Sequence, residues 1–184
     1  RAINFLNQTL RYGQARELPP QRAKHDLQEL AQDVLLAFEP LVQKRVDFHN
    51  AVAIGVTVDA DREHLHRILT NLVRNAVQAF DGSSIAQPMI TVSARRHGSV
   101  TEIEVTDNGP GIPAAVRDKL FEAFQSAAKP GGTGLGLAIS RELAEAHGGS
   151  IAVKHSGDTG SCFTIEIPDR ALPFPAPARL SGVA

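Results

Sequence analysis

The sequence has no tryptophan, one tyrosine, one methionine and one cysteine in 184 residues. A lone Cys162 rules out an internal disulfide, so no disulfide framework holds this fold. No uninterrupted apolar run is long enough to cross a bilayer, and the N-terminus lacks a signal-peptide pattern. These absences fit a cytoplasmic location for this piece, whatever anchors a longer parent protein. An excess of either charge is lacking too: 19 Lys and Arg against 20 Asp and Glu leave a formal net charge of −1. Basic residues are densest at Arg95-Arg96-His97, which reads as a strand end or turn. Electrostatics therefore make no case for nucleic acid or membrane contact. What is present is 42% hydrophobic content, enough for one buried core plus a short extra element.

The apolar spacing divides the chain. Ile3, Leu6, Leu10 and Gly13 share one face of a predicted helix over 1–16. Pro19 and Pro20 end it, because proline cannot donate to the helical ladder and restricts the residue before it. A second helix is expected from Leu27 to Lys44, with Leu27, Leu30, Val34, Phe38 and Leu41 as its stripe. Val46–His49 and Gly55–Asp59 read as short strands. A long helix follows from Asp61 to Phe80, lined by Leu65, Ile68, Leu69, Leu72, Val73 and Ala76. Met89–Arg95 and Val100–Thr106 alternate apolar and polar, the pattern of a half-buried hairpin. Val116–Phe124 reads as a short helix and Gly134–His147 as a longer one, closed by Gly148-Gly149. Ser150–His155 and Cys162–Ile167 make a last hairpin across Ser156–Gly160. The Pro- and Ala-rich tail reads as loose. Helices on one side and short strands on the other imply an α+β two-layer sandwich.

Three segments carry chemistry. Asn71 and Asn75 stand four apart in the long helix and so share a face. Amides in an otherwise apolar helix need partners if buried. Asp107-Asn108-Gly109-Pro110-Gly111-Ile112-Pro113 follows a strand, and Gly131-Gly132-Thr133-Gly134-Leu135-Gly136-Leu137 opens a helix. Neither glycine segment is a P-loop, since Leu137 occupies the position where a lysine is required. Gly109-Pro110-Gly111 is no dinucleotide fingerprint either, because Pro113 interrupts it and no acid-ended second strand follows.

In order and spacing these segments resemble the N, G1 and G2 boxes of the histidine-kinase branch of the GHKL ATPase/kinase superfamily. Phe121-Glu122-Ala123-Phe124 is similar to its F box, and the resemblance runs from Leu27 to Ile167. It implies a mixed sheet packed on helices, with Mg²⁺ and ATP as cofactor and substrate. It also implies that Asp107 accepts a hydrogen bond from the adenine amino group. Gly109 and Gly111 let the backbone approach the base without a Cβ clash. Ile112 and Phe124 belong to the same binding set. Gly132, Thr133, Gly134, Leu135, Gly136 and Leu137 would offer backbone N–H groups to phosphate at a helix N-terminus. Asn75 matches the magnesium position, which suits an ion that takes oxygen ligands and keeps several waters. Asn71 and Lys129 are expected nearest the transferred phosphoryl group.

The related hydrolases carry a glutamate where this sequence has Asn71, and an amide cannot serve as general base. The expected activity is thus phosphoryl transfer to a protein histidine, followed by transfer to a response-regulator receiver domain. A degenerate dimerising or phosphotransfer module and a GHKL ATPase are the alternatives. Of the seven histidines, His25 alone resembles the start of an acceptor motif, but Leu30 stands where a proline is usual. The acceptor is therefore expected outside this chain. The expected domains are 1–18 as the second helix of a dimerisation hairpin and 19–26 as a linker. A catalytic domain over 27–168 and a tail over 169–184 complete the set. The full-length protein is expected to dimerise through that hairpin. Ala127-Ala128-Lys129-Pro130 resembles the short lids of nitrogen-regulatory kinases, without their threonines. Gln78 and Ala79 replace a basic and an aromatic residue common in relatives.

Overall fold

In the long helix, apolar residues recur at three- and four-residue spacing, and Asp61 fixes where it begins. The computed structural model describes residues 19–42, 45–123 and 134–170, and in it this helix, α2, spans Arg62–Ala79. The Asp61 carboxylate accepts from the backbone N–H groups of Glu63 and His64 at 3.0 and 3.1 Å. That satisfies two of the donors a helix start leaves free. Leu65, Ile68, Leu69, Leu72, Val73 and Ala76 are all buried, as their spacing predicts.

Before α2 lie β1 (Ala23–Asp26), α1 (Leu27–Val42), β2 (Asp47–Asn50) and β3 (Thr57–Ala60). After it come β4 (Met89–His97), β5 (Val100–Asp107), α3 (Ala114–Arg117), α4 (Gly136–Ala146), β6 (Ser150–Gly157) and β7 (Gly160–Pro168). Five strands form one mixed sheet in the order β2-β4-β5-β7-β6. The β2–β4 pair is parallel and the other pairs are antiparallel. β1 and β3 form a separate antiparallel pair. Ile90, Val92, Ile103, Val105, Phe163, Ile165 and Ile167 point to the inner face and pack with the buried stripes of the helices. This is the expected two-layer α+β sandwich. Leu72 is 1% exposed at its centre, where truncation to alanine costs about 2–5 kcal/mol. The outer face carries a ladder in which Arg95 and Lys154 bridge Glu102 and Glu104. Hydrogen bonding from Arg95, the main cause, lowers Glu102 to about 2. Among the described residues no helix is long and apolar enough to cross a membrane.

Several boundaries differ from expectation. Residues 23–26, read as linker, form β1: Leu27 donates to the Val56 carbonyl, and Ala23–Asp26 pairs with Thr57–Ala60. Lys24 and His25 therefore sit on a strand. Leu41 is 70% exposed, and Val42 takes its place in the core. Val42 lies four beyond Phe38 and continues the buried stripe, while Leu41 falls outside it. The first strand of the sheet starts one residue later than expected, at Asp47. β3 starts only at Thr57, because Gly55 turns the chain with φ of +84°. The short helix expected to reach Phe124 covers only Ala114–Arg117, and turns continue to 123. α4 starts at Gly136 rather than Gly134, whose φ is +69°. The last hairpin is tighter than expected, with Asp158 and Thr159 alone between its strands. The expected helix over 1–16, Lys44 and most of the tail lie outside the described residues.

Candidate functional site

Asn71, Asn75 and Ala79 stand four apart along α2 and so follow one face. At the first of them, the Asn71 amide nitrogen donates to the Gly136 carbonyl at 3.0 Å and to Ser140 Oγ at 3.1 Å. Ser140, fully buried, donates in turn to the same carbonyl at 2.9 Å. Asn71 thus ties α2 to the first turn of α4. Its role as a tether, and Ser140 altogether, escaped the sequence reading. Asn75, one turn on, has no hydrogen-bonding partner for its side chain among the described residues. At the far end, Ala79 and Phe80 lie against Gly109: a Cβ added to that glycine would be 3.5 Å from Ala79 Cβ and 3.6 Å from Phe80 Cε1. Eight residues of helix span about 12 Å. One face of α2 therefore runs from the start of α4 to the loop after β5.

Asp107 ends β5 and is 6% exposed. Its Oδ1 accepts the Gly109 N–H at 2.8 Å. Burial raises its pKa, against the backbone hydrogen bonds from Gly109 and Ser161 that lower it. A buried carboxylate with no cation among the causes of its shift has acceptor capacity to spare, and a donor brought to it is favoured. Asn108 is occupied elsewhere: its side chain accepts from Met89 N–H at 2.8 Å and donates to the Gln87 carbonyl at 2.8 Å. It locks the loop to the entry of β4. Gly111 has φ of +76°, and a Cβ there would sit 2.9 Å from the Gly157 carbonyl carbon and closer still to its oxygen. Only glycine meets both demands. Ile112 N–H donates to Ser156 Oγ at 2.7 Å, and Ser156 and Ser161 hydroxyls are 3.2 Å apart. In the β5–β7 register, Ser161 faces Asp107.

The α4 start has no side-chain cap. Among the described residues its first N–H groups therefore have neither intrahelical partners nor a capping oxygen, and the helix start carries the positive end of the helix dipole. Gly134 and Leu135 are buried before it, and Leu137 is buried within it. Gly136 faces Asn71, with a built Cβ 3.5 Å from Asn71 Cγ. So along one α2 face the structure sets Asn71 against Gly136 at one end and Ala79 against Gly109, beside Asp107, at the other, with Asn75 between them, while Gly111 and Ile112 pack on the β6–β7 hairpin. Phe124, Lys129, Gly132 and Thr133 lie outside the described residues. Ser140 and Ser156 were missed: Ser140 matters because the fold brings Asn71 to it, and Ser156 because the fold brings it to the Ile112 N–H.

The sequence profile described as "Histidine kinase-, DNA gyrase B-, and HSP90-like ATPase" matches residues 60–171. The chain is 32% identical over 180 residues to the sensor histidine kinase AruS of Pseudomonas aeruginosa, covering 90% of this chain and 18% of that protein. It is 36% identical over 151 residues to the C4-dicarboxylate transport sensor protein DctS of Rhodobacter capsulatus, covering 81% and 23%. The chain thus spans about a fifth of the length of these curated relatives. Among solved structures, it resembles the catalytic domain of histidine kinase ThkA with a TM-score of 0.70 at 30% identity, covering 81% of this chain and 96% of that one. It also resembles full-length ShkA in complex with AMPPNP, with a TM-score of 0.78 at 26% identity, covering 94% and 37%. ThkA in complex with the response regulator protein TrrA gives 0.73 at 28% identity, covering 92% and 48%.

Proposed function

Since the chain belongs to the histidine kinase-, DNA gyrase B- and HSP90-like ATPase family, as a histidine-kinase catalytic ATP-binding domain, we propose that it binds Mg²⁺-ATP along the α2 face. From there it presents the γ-phosphoryl group to a histidine on a dimerisation hairpin, for onward transfer to a response-regulator aspartate. One observation carries this reading: a single helix face joins the buried, acceptor-rich Asp107 to the uncapped start of α4.

Each residue then has a task. Asp107 accepts from the exocyclic amino group of adenine, a donor that guanine lacks at that position. The backbone around Gly109 and Gly111 comes close enough to wall the base. The N–H groups of Gly136 and Leu137, at the start of α4, favour phosphate oxygens, helped by the helix dipole. Asn75 stands midway along this face with an amide oxygen that no described residue shares, which fits a hard divalent cation. Magnesium, when bound, supplies charge neutralisation on the phosphates. Asn71 holds the α4 turn in place through its amide nitrogen. It offers no base to activate water, so bound ATP persists until a nucleophile arrives. Lys129 is the proposed cation for the terminal phosphates. The hairpin-linked dimer and the receiver-domain partner belong to the whole protein; ThkA was solved with a response regulator.

The test is a titration of the 184-residue chain with a fluorescent ATP analogue, with and without Mg²⁺, beside Asp107→Asn. Saturable, Mg²⁺-enhanced binding that the substitution abolishes is expected. Absence of binding at millimolar nucleotide refutes the reading. With γ-labelled ATP the chain should label no histidine of its own, and it should label a separately supplied acceptor hairpin.

A further inference from the structure

The loop from Asn108 to Pro113 has little of its own to keep it in shape. Pro110 and Pro113 donate no hydrogen bonds, and Gly111 adopts a left-handed conformation that any neighbour must hold. Its entry is fixed by Asp107 in the β5–β7 ladder and by the Asn108 side chain. Its exit is fixed differently. Ile112 N–H donates to Ser156 Oγ at 2.7 Å. The Ile112 carbonyl accepts from Arg117 Nε at 3.0 Å. A second nitrogen of the same guanidinium donates to the Ser156 carbonyl at 2.8 Å. Both backbone groups of Ile112 are thus held, and one side chain closes the ring between the loop and the β6–β7 hairpin.

We propose that Arg117 is a positioning residue for the purine: its guanidinium clips the Gly109–Ile112 loop to the β6–β7 hairpin and so sharpens the preference for adenine. The proposal rests on the ATP reading above. Arg117 is exposed, and both its acceptors are main-chain carbonyls at the surface. Removing it opens no cavity and leaves no buried group unpaired, so the fold itself has little to lose. What it loses is order in the loop that walls the base beside Asp107. The planar fork of arginine reaches two acceptors at a fixed separation, whereas a lysine ammonium is a point donor on a flexible stem. Lysine is therefore a poor replacement although the charge is kept.

The experiment compares wild type, Arg117→Ala, Arg117→Lys and Ser156→Ala in the full 184-residue chain. It measures the melting midpoint, and ATP and GTP affinity by competition with the fluorescent analogue, with Asp107→Asn as the reference. Arg117→Ala should lose about three- to tenfold in ATP affinity, as fits the loss of one or two solvent-exposed hydrogen bonds. GTP affinity should fall less, so the ATP/GTP ratio narrows while the melting midpoint stays at the wild-type value. Arg117→Lys should recover less than half of the loss, and Ser156→Ala should narrow the ratio in the same direction. An Arg117→Ala chain with wild-type affinity and ratio overturns the clip alone. So does an equal loss for both nucleotides accompanied by a lowered midpoint. A wild type that binds no ATP, or binds it indifferently to Asp107→Asn, overturns the ATP reading and the clip together.

Discussion

Three glycine substitutions separate backbone strain from steric crowding in the loop after β5. Gly55 has φ of +84° with nothing within 4 Å of a built Cβ. Gly55→Ala therefore meets only the left-handed penalty, about 1–2 kcal/mol. A stiffer unfolded chain offsets that by about 0.4–1 kcal/mol. The net destabilisation is roughly 0.5–1 kcal/mol. Gly109 is the converse: its φ is ordinary, but a Cβ would be 2.6 Å from Asp107 Oδ1. Crowding of that kind costs about 1–3 kcal/mol, and relief means swinging the carboxylate off the Gly109 N–H that it accepts. Gly111 suffers both, with φ of +76° and the immovable Gly157 peptide beneath it. Gly111→Ala should thus destabilise by about 2–4 kcal/mol, the two effects together. Urea denaturation at unchanged m-value reads these differences directly. The fluorescent ATP analogue supplies the second readout. Gly55→Ala should bind as wild type, while Gly109→Ala and Gly111→Ala should lose about tenfold or more, equivalent to about 1.4 kcal/mol. A Gly111→Ala chain no less stable than Gly55→Ala would show that Gly157 does not confine the loop, and the account of the site's walls would fail.

Other consequences are as open to measurement. Burial, the largest cause, raises the Asp107 pKa, so the unfolded chain ionises first as pH rises past 3.8 and stability falls from there to the folded value. The charged carboxylate therefore costs stability at neutral pH, and ligand-free Asp107→Asn should melt no lower than wild type at pH 7 while losing ATP; a markedly lower midpoint contradicts this. His147 is 3% exposed, with Nδ1 2.7 Å from the Leu143 carbonyl and Nε2 accepting the Asp61 N–H at 3.0 Å. That arrangement requires the neutral ring protonated on Nδ1, and burial lowers its pKa below 6.5. Above pH 6.5 both states are neutral. Below it the unfolded chain takes up the proton first, so stability should fall with pH at up to about 1.4 kcal/mol per unit; a slope unaltered by His147→Asn in urea titrations at pH 7.5 and 5.5 would refute the assignment. Asn71→Asp removes the donor to Gly136 and Ser140 and sets an oxygen against each, for a loss of about 1–3 kcal/mol. An unchanged denaturation midpoint would count against the tether.

The legible parts of the sequence were those whose physics is periodic. The α2 stripe from Leu65 to Ala76 and the alternation of Ile90, Val92, Ile103 and Val105 repeat at the spacing of their element, and each landed in the core. β1 was illegible because Ala23-Lys24-His25-Asp26 buries almost nothing; its pairing with β3 alone makes it a strand. Leu41 misled because a three-residue step from Phe38 is as good on paper as the four-residue step to Val42. In the site, Asn71, Asn75 and Asp107 stood out through motif order. Their supports did not. Ser140, Ser156 and Arg117 act on main-chain groups from 4 to 44 residues away, and Asn71 reaches the Ser140 hydroxyl across 69 positions. No local spacing announces such partners.

The polarity of the α2 face constrains what lies on it and which way round. One end carries a buried carboxylate with no salt bridge among the described residues, held by backbone N–H groups alone. The other, about 12 Å along the helix, is an uncapped helix start equivalent to roughly half a positive charge. A ligand with a hydrogen-bond donor at its head and negative charge at its tail complements both ends. Reversal would put a phosphate oxygen near Asp107, and two like charges 4 Å apart repel by about 4 kcal/mol at an effective dielectric of 20. That is close to a thousandfold in population, before the lost contacts at the α4 start are counted. Asn75, uncharged and between the two ends, disturbs neither, and an amide there can face a cation without attracting a second one. The Asn71 tether matters to the same end: it holds Gly136, and so the positive terminus of α4, against α2. If a nucleotide binds this face as proposed, its orientation is thus set by fixed backbone and one side-chain carboxylate.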